Sequence, residues 1–252
     1  MEMGNPSDRF CFLLPGSGRE PVTRQEMRTI EERGAILGIS RLLMMENAGS
    51  SVADFIACLK SDQSAGPVAG GQLREETKEK ILLVAGTGNN GGDTFVAARH
   101  LAFRSNDFNI TIILVGNSSD IKAEEASYNW NVVKKISSIQ TSEVGCESEL
   151  PILEDRLKEA SVAVVGIFGT GFSGSPRDLQ RRVIELINAS RGCKVISVDL
   201  PSGLEADSGD FDTAVRSDYT ITMHAPKIGM IRNERAKQIC GRILIANIGI
   251  PQ

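Results

Sequence analysis

The chain has 252 residues, 41% hydrophobic and 24% charged, an ordinary composition for a globular protein with an ample core. Its formal charge of −4 and pI near 5.4 argue against the broad basic surface that nucleic acids and anionic membranes require. Five scattered cysteines without a Cys-x-x-Cys pair, and two distant histidines (His100 and His224), encode neither a disulfide framework nor a zinc site. The thiols are therefore expected to be free and buried, as in a reducing compartment.

Residues 1–20 read as a loosely ordered leader. Its apolar run, Phe10 to Leu14, is too short for a signal peptide or a membrane span, which points to a cytoplasmic protein. At Thr23 the pattern turns helical. Thr23 and Glu26 have the spacing of a capping box, and Met27, Ile30, Gly34 and Leu37 follow at near-helical intervals. A second amphipathic helix is predicted from Ser40 to about Lys60. Segment 61–76 is rich in Gly, Ser and polar residues and reads as an exposed loop.

Beyond it, short β-branched runs alternate with helical stretches. Strands are predicted at 80–85, 110–115, 161–168, 194–199, 218–223 and 242–247, with a weaker one near 137–141. Helices are predicted at 91–104, 120–136, 151–159 and 178–190. Runs such as Ile81 to Ala85 and Val162 to Val165 are continuously apolar, as strands covered on both faces should be. The alternation predicts one α/β domain over residues 21–252, a mainly parallel sheet with helices on both sides.

Ligands of such sheets bind beyond the carboxyl ends of the strands. The loop after the first strand, Gly86-Thr87-Gly88-Asn89-Asn90-Gly91-Gly92-Asp93, turns directly into a helix. That arrangement gathers backbone N–H groups and a positive dipole end at one point, a site for an anion. Asn89, Asn90 and Asp93 add side chains that phosphate binding alone does not need. Three more polar loops end strands: Gly169 to Ser175, Asp199-Leu200-Pro201-Ser202-Gly203, and His224-Ala225-Pro226-Lys227. Gly86, Gly88 and Gly91 also satisfy G-x-G-x-x-G, the dinucleotide fingerprint of dehydrogenases. That reading expects an acidic residue ending the next strand, where Gly116-Asn117-Ser118-Ser119 stands instead and Asp120 comes late.

These segments together resemble the N-terminal YjeF domain, the NAD(P)H-hydrate epimerase family. The likeness runs through Val22 to Arg28, Leu43 to Gly49, Gly88 to Asp93, Phe168 to Gly171, Val198 to Gly203, Ala225 to Lys227 and the ending Ile248-Gly249-Ile250-Pro251. It implies a Rossmann-like three-layer α/β/α sandwich, often a homodimer, that interconverts the R and S forms of NADH or NADPH hydrated at C6 of the nicotinamide. An S-specific dehydratase then restores the cofactor; here it is expected to be a separate protein. The resemblance places Asn89, Asn90, Gly91, Gly92 and Asp93 in the substrate pocket. It wraps Gly169, Thr170, Gly171, Phe172, Ser173, Gly174 and Ser175 around the dinucleotide phosphates, and sets Asp199 against the substrate. Asn90 and Ser202 match the family's potassium ligands. The third, an aspartate in Asp-Ala-x-Phe-Gly, is replaced by Val165 in Val165-Gly166-Ile167-Phe168-Gly169. The ion is then held more weakly, or held by another oxygen, or absent.

Inverting a carbinol carbon beside a ring nitrogen needs a group that gives and takes a proton, and Asp199 and Asp93 are the candidates. Lys227 is expected to neutralise a phosphate or brace a carboxylate. Glu46-Asn47 is expected to reach the pocket or a dimer partner. Two other readings stand beside the epimerase. One is a silent binding module, as in RNA-decapping scaffolds that carry the same domain; the other is an NAD-dependent oxidoreductase.

Overall fold

The computed structural model describes residues 19–64, 78–104 and 107–251. Helix α1 (Arg24–Ile36) starts at the predicted capping box: Thr23 Oγ1 accepts from the Glu26 N–H and Glu26 accepts from the Thr23 N–H. It ends one residue short of Leu37, which is exposed rather than part of the buried stripe. Helix α2 (Arg41–Ser64) enters the first four residues of the expected 61–76 loop; the rest of that loop, and most of the predicted leader, lie outside the described residues. Its stretch Arg41–Lys60 is long and apolar enough to cross a membrane, yet Met44, Met45, Ala48, Val52, Phe55 and Ile56 spend that apolarity on the core.

The remaining elements alternate. They are β1 (Glu79–Ala85), α3 (Asn89–Phe103), β2 (Phe108–Val115), α4 (Glu124–Val133), β3 (Ile139–Val144), α5 (Leu150–Glu159), β4 (Val162–Gly166) and α6 (Asp178–Ala189). After them come β5 (Lys194–Val198), β6 (Tyr219–Met223), the short helices α7 (Ile228–Arg232) and α8 (Glu234–Cys240), and β7 (Arg242–Ala246). The seven strands form one sheet in the order β3-β2-β1-β4-β5-β6-β7, and every pair is parallel. The structure is thus the expected Rossmann-like α/β sandwich, with an all-parallel rather than a mainly parallel sheet. The short helices α7 and α8 were not foreseen. Neither exceeds seven residues, too few for a helical period to show.

Alternation along the strands builds two apolar layers. Ile81, Leu83 and Ala85 face α1 to α4; Leu82 and Val84 face α5 and α6, where Leu153 and Ile184 meet them. A third, smaller cluster joins Leu200 and Leu204 to Met230 and Ile239. Among the described cysteines only Cys58 and Cys240 are buried; Cys193 is partly covered and Cys146 exposed, a correction to the expectation of uniformly buried thiols. All four are free.

The order reverses between β1 and β4, so their carboxyl ends splay the loops that follow and leave a crevice. Its floor is backbone against backbone: a Cβ on Gly86 would lie 2.2 Å from the Ile167 carbonyl oxygen, and one on Gly91 would lie 1.9 Å from the Gly86 carbonyl oxygen. No rotamer relieves such a contact. Gly86→Ala is expected to cost about 2–3 kcal/mol, read as a lower denaturation midpoint with an unchanged slope in urea.

Candidate active site

The crevice is a cavity of about 740 Å³, in the range of small-molecule sites. One wall is the β1–α3 turn, Gly86 to Asn90, together with Asp93 one helical turn later; the opposite wall is Ile167 to Ser173 with Ser175 and Arg177. Asp199, Met223 and Lys227 close the β5–β6 side, and Met27 and Glu31 of α1 complete the lining. The N-terminus of α3 opens into this space with Gly88 as N-cap and no side chain capping it, so its N–H groups stay available to an anionic or carbonyl oxygen.

Asp199 sits in the left-handed region (φ 65°), and the Leu200 N–H bonds the Val198 carbonyl at 2.8 Å across it. One strand over, His224 repeats the arrangement with φ 64° and the Ala225 N–H 2.7 Å from the Met223 carbonyl. Such three-residue turns with positive φ are rare and strained. At Asp199 the turn aims the carboxylate into the crevice, where Lys227 pairs with one oxygen and the Thr170 N–H meets the other at 3.3 Å. The Lys227 side chain is fully buried, and its ammonium also donates to Thr222 Oγ1 (2.8 Å) and to the Met223 carbonyl (3.1 Å). All three donors are thereby used, and Lys227 braces the site rather than reaching a phosphate. His224 rests against the Arg19 guanidinium; burial first, then the charges of Arg19 and Lys227, push its imidazole down to about 4. It is therefore neutral at physiological pH.

Asp93 faces the cavity but is enclosed by protein elsewhere, and no described residue hydrogen-bonds its carboxyl. Burial, then the charges of Asp199 and Glu31, raise its proton affinity well above the ordinary 3.8; Lys227 opposes them. Asp93 lies one turn into α3, past the first-turn positions where the helix dipole favours an acid, so desolvation dominates. Glu31 was missed by the sequence reading. It lies four residues after buried Met27 on the inner face of α1, and a carboxylate on that stripe was the available signal. Its carboxyl is raised too, first by burial and then by Asp199.

Asn89 and Asn90 line the cavity, but Gly91 and Gly92 do not. Gly91 is pressed on Gly86, and a Cβ on Gly92 would strike the Met45 side chain, so both serve close packing. In the second loop Gly169, Thr170, Gly171, Phe172, Ser173 and Ser175 line the cavity, with Phe168 and Phe172 stacked 4.5 Å apart. Gly174 is outside it, and its N–H donates to the Glu205 carboxylate at 2.8 Å. Glu46 points away as well, bound to Arg99 and His100, and Asn47 donates to the Ile248 carbonyl. Asp120, the late acidic residue of the dehydrogenase reading, is exposed and does not line the cavity.

The residues expected to hold potassium are Asn90 and Ser202, with Val165 where the third ligand would stand. Asn90 Nδ2 donates to the Phe168 (2.7 Å) and Val198 (2.9 Å) carbonyls, tying the two strand-end loops together, while its Oδ1 is buried without a partner. Ser202 Oγ accepts from the Ile167 (3.2 Å) and Phe168 (3.1 Å) N–H groups and donates to the Phe168 carbonyl (3.3 Å), which uses its whole bonding capacity. Val165 is fully buried in the apolar layer beneath α5 and α6. One orphaned amide oxygen is left for a cation that needs several, so these residues do not fit the ion. That oxygen remains available to an N–H or O–H of a bound molecule.

The family described as YjeF-related protein N-terminus matches residues 41–229, and the chain belongs to this family of Rossmann-like α/β domains. It is 35% identical over 231 residues to the NAD(P)H-hydrate epimerase of Cenarchaeum symbiosum (strain A), covering 91% of this chain and 95% of that protein. The NAD(P)H-hydrate epimerase of Nitrosopumilus maritimus is 32% identical with the same coverage. The bifunctional NAD(P)H-hydrate repair enzyme Nnr of Archaeoglobus fulgidus is 32% identical over 235 residues, and this chain spans 42% of its length. The crystal structure of yeast YNL200c shares the fold, with a TM-score of 0.67 at 21% identity over 87% of this chain and 86% of that one.

Lys227→Met strands the Asp199 charge in the interior and is expected to cost about 3–5 kcal/mol; adding Asp199→Asn should recover most of the loss in the same chemical denaturation. For Asp93 the sign is opposite. Its folded affinity exceeds the unfolded value of 3.8, so the folded state binds more protons above that pH and stability falls as pH rises toward the folded value. Asp93→Asn is therefore expected to melt higher than the parent at pH 7 and to lose that advantage near pH 3.

Proposed function

We infer that this chain is an NAD(P)H-hydrate epimerase, interconverting the R and S forms of hydrated NADH and NADPH in cofactor repair. The observation that carries the inference is the match, at 32–35% identity, to proteins of that name along 95% of their length. The cavity supports it with a helix N-terminus, a stacked aromatic pair and three carboxyls around one space.

The reaction needs no oxidant. The lone pair of the ring nitrogen forms a double bond to C6 as the C6–O bond breaks, and the departing hydroxyl takes a proton and leaves as water. Water then adds to the opposite face of the iminium and returns a proton, so atoms and charge balance. Asp93 is the group that gives the proton: desolvation and the charges of Asp199 and Glu31 raise its proton affinity well above that of an exposed aspartate. Asp199, fixed by Lys227, sets a negative charge beside the developing iminium without reorganising. Phe168 and Phe172 offer flat faces to a ring of the dinucleotide, and exposed Arg177 with Ser173 and Ser175 suits its phosphates.

No step runs through potassium, and the Asn90 amide does the bracing between loops that an ion would do. A dehydratase consumes the S form, and the chain works in the cytoplasm as a homodimer. Around the turn between α1 and α2, Ile36, Leu37 and Leu43 are each more than half exposed.

The test is an R/S hydrate mixture with an S-specific dehydratase. Conversion should pass beyond the S fraction faster than spontaneous epimerisation, at equal rates in potassium and sodium. Asp93→Asn and Asp199→Asn should each lower the rate by about 10²–10⁴ while remaining folded. Conversion that stalls at the S fraction, with ADP-ribose still bound, would mean a silent binding module, the reading that Val165 favours.

A further inference from the structure

We propose that Glu31 of α1 is the positioning residue of the proton-transfer site, and that Glu31 and Asp93 together hold one proton across the cavity. The proposal deepens the epimerase reading and rests on it. Three carboxyls (Glu31, Asp93 and Asp199) line one space with Lys227 and the exposed Arg177. Lys227 is spent on Asp199, which also receives the Thr170 N–H. Glu31 and Asp93 have neither a salt bridge nor a hydrogen bond to any described residue, and each faces the cavity from a different helix.

Glu31 is held there by construction. Val22, just before α1, forms a parallel bridge with Lys227: the Val22 N–H bonds the Pro226 carbonyl at 2.9 Å, and the Ile228 N–H bonds the Val22 carbonyl at 3.0 Å. The start of α1 is thereby tied to the residue that pairs with Asp199. Met27 then anchors the helix in the core, and Glu31 follows one turn on, at the cavity.

The groups acting on the pair come from every side. Asp199 and Lys227 act on both carboxyls, while Arg41 on α2 and neighbouring Glu32 act on Glu31. Asp199 raises Asp93 more than Glu31 does and Lys227 offsets only part of that, so the Glu31 charge adds to the repulsion already acting on Asp93 from across the cavity. Two carboxyls in that relation ionise one at a time, and the second keeps its proton to higher pH. The proton so retained is the one delivered to the departing hydroxyl, and Glu31 acts by keeping it on Asp93.

The test compares the parent, Glu31→Gln, Asp93→Asn and the double variant. Removing the Glu31 charge should move the alkaline limb of the kcat–pH profile to lower pH by about one unit, roughly a tenfold loss above the limb, with KM little changed. Glu31→Asp should restore part of the shift. An unmoved limb in an active Glu31→Gln enzyme overturns the proposal. Melting temperatures give a readout independent of catalysis. At pH 7 each single neutral variant should melt higher than the parent, and the double variant should gain less than the sum of the two. Additive gains overturn the shared proton even if the parent proves inactive, an outcome that would separately defeat the epimerase reading.

Discussion

The site depends on one buried ion pair. Lys227 has no exposed surface, and its ammonium is divided among the Asp199 carboxylate, the Thr222 hydroxyl and the Met223 carbonyl. Through those contacts the ends of β5 and β6, the start of α7 and, by way of Thr170, the loop after β4 are set relative to one another. A buried pair of this kind adds little net stability, since desolvating both ions consumes most of what their attraction returns. What it supplies is position. It holds Asp199 in a strained three-residue turn, and the bridge from Val22 to Lys227 extends the same constraint to α1.

That constraint explains how one cavity keeps carboxyls in two states. Asp199 has a cation and a backbone donor, and it presents a fixed negative charge. Asp93 and Glu31 have neither, and burial raises both. A group that must give a proton and one that must stay charged can then work side by side at neutral pH. The rest of the fold contributes rigidity. Gly86, Gly91 and Ile167 bring backbone against backbone beneath the site, and the Asn90 amide ties the Phe168 and Val198 carbonyls. Val165 joins the apolar layer beneath α5 and α6, and the Asn90 amide forms the tie.

The sheet was legible in the sequence because most of its buried parallel strands are continuous apolar runs; β3, polar from Gln140 to Glu143, gave a weaker signal, yet all seven lie within a few residues of where they were predicted. The α1 start was legible because a capping box is a local signal. The loops of the site were legible as chemistry, through the density of Asn, Asp, Ser and Gly at strand ends. The roles of individual residues were not. Gly91, Gly92 and Gly174 read as pocket wall, but which way a glycine faces depends on what packs against it. Lys227 and Asp199 are 28 residues apart, and nothing along the chain says that they meet. Glu31 was overlooked because a lone acid in a surface helix is usually solvated, and only the tertiary arrangement turns it inward.

The central claim is that Asp93 carries a proton under working conditions while enclosed beside Asp199. It is tested most directly by following ¹³C-labelled aspartate carboxyls by NMR through a pH titration, with the Asp93 resonance assigned by its loss in Asp93→Asn. The account predicts a carboxyl that titrates well above the ordinary aspartate range. Titration near 3.8, the value of an unperturbed aspartate, would contradict it and leave the site without its proton donor.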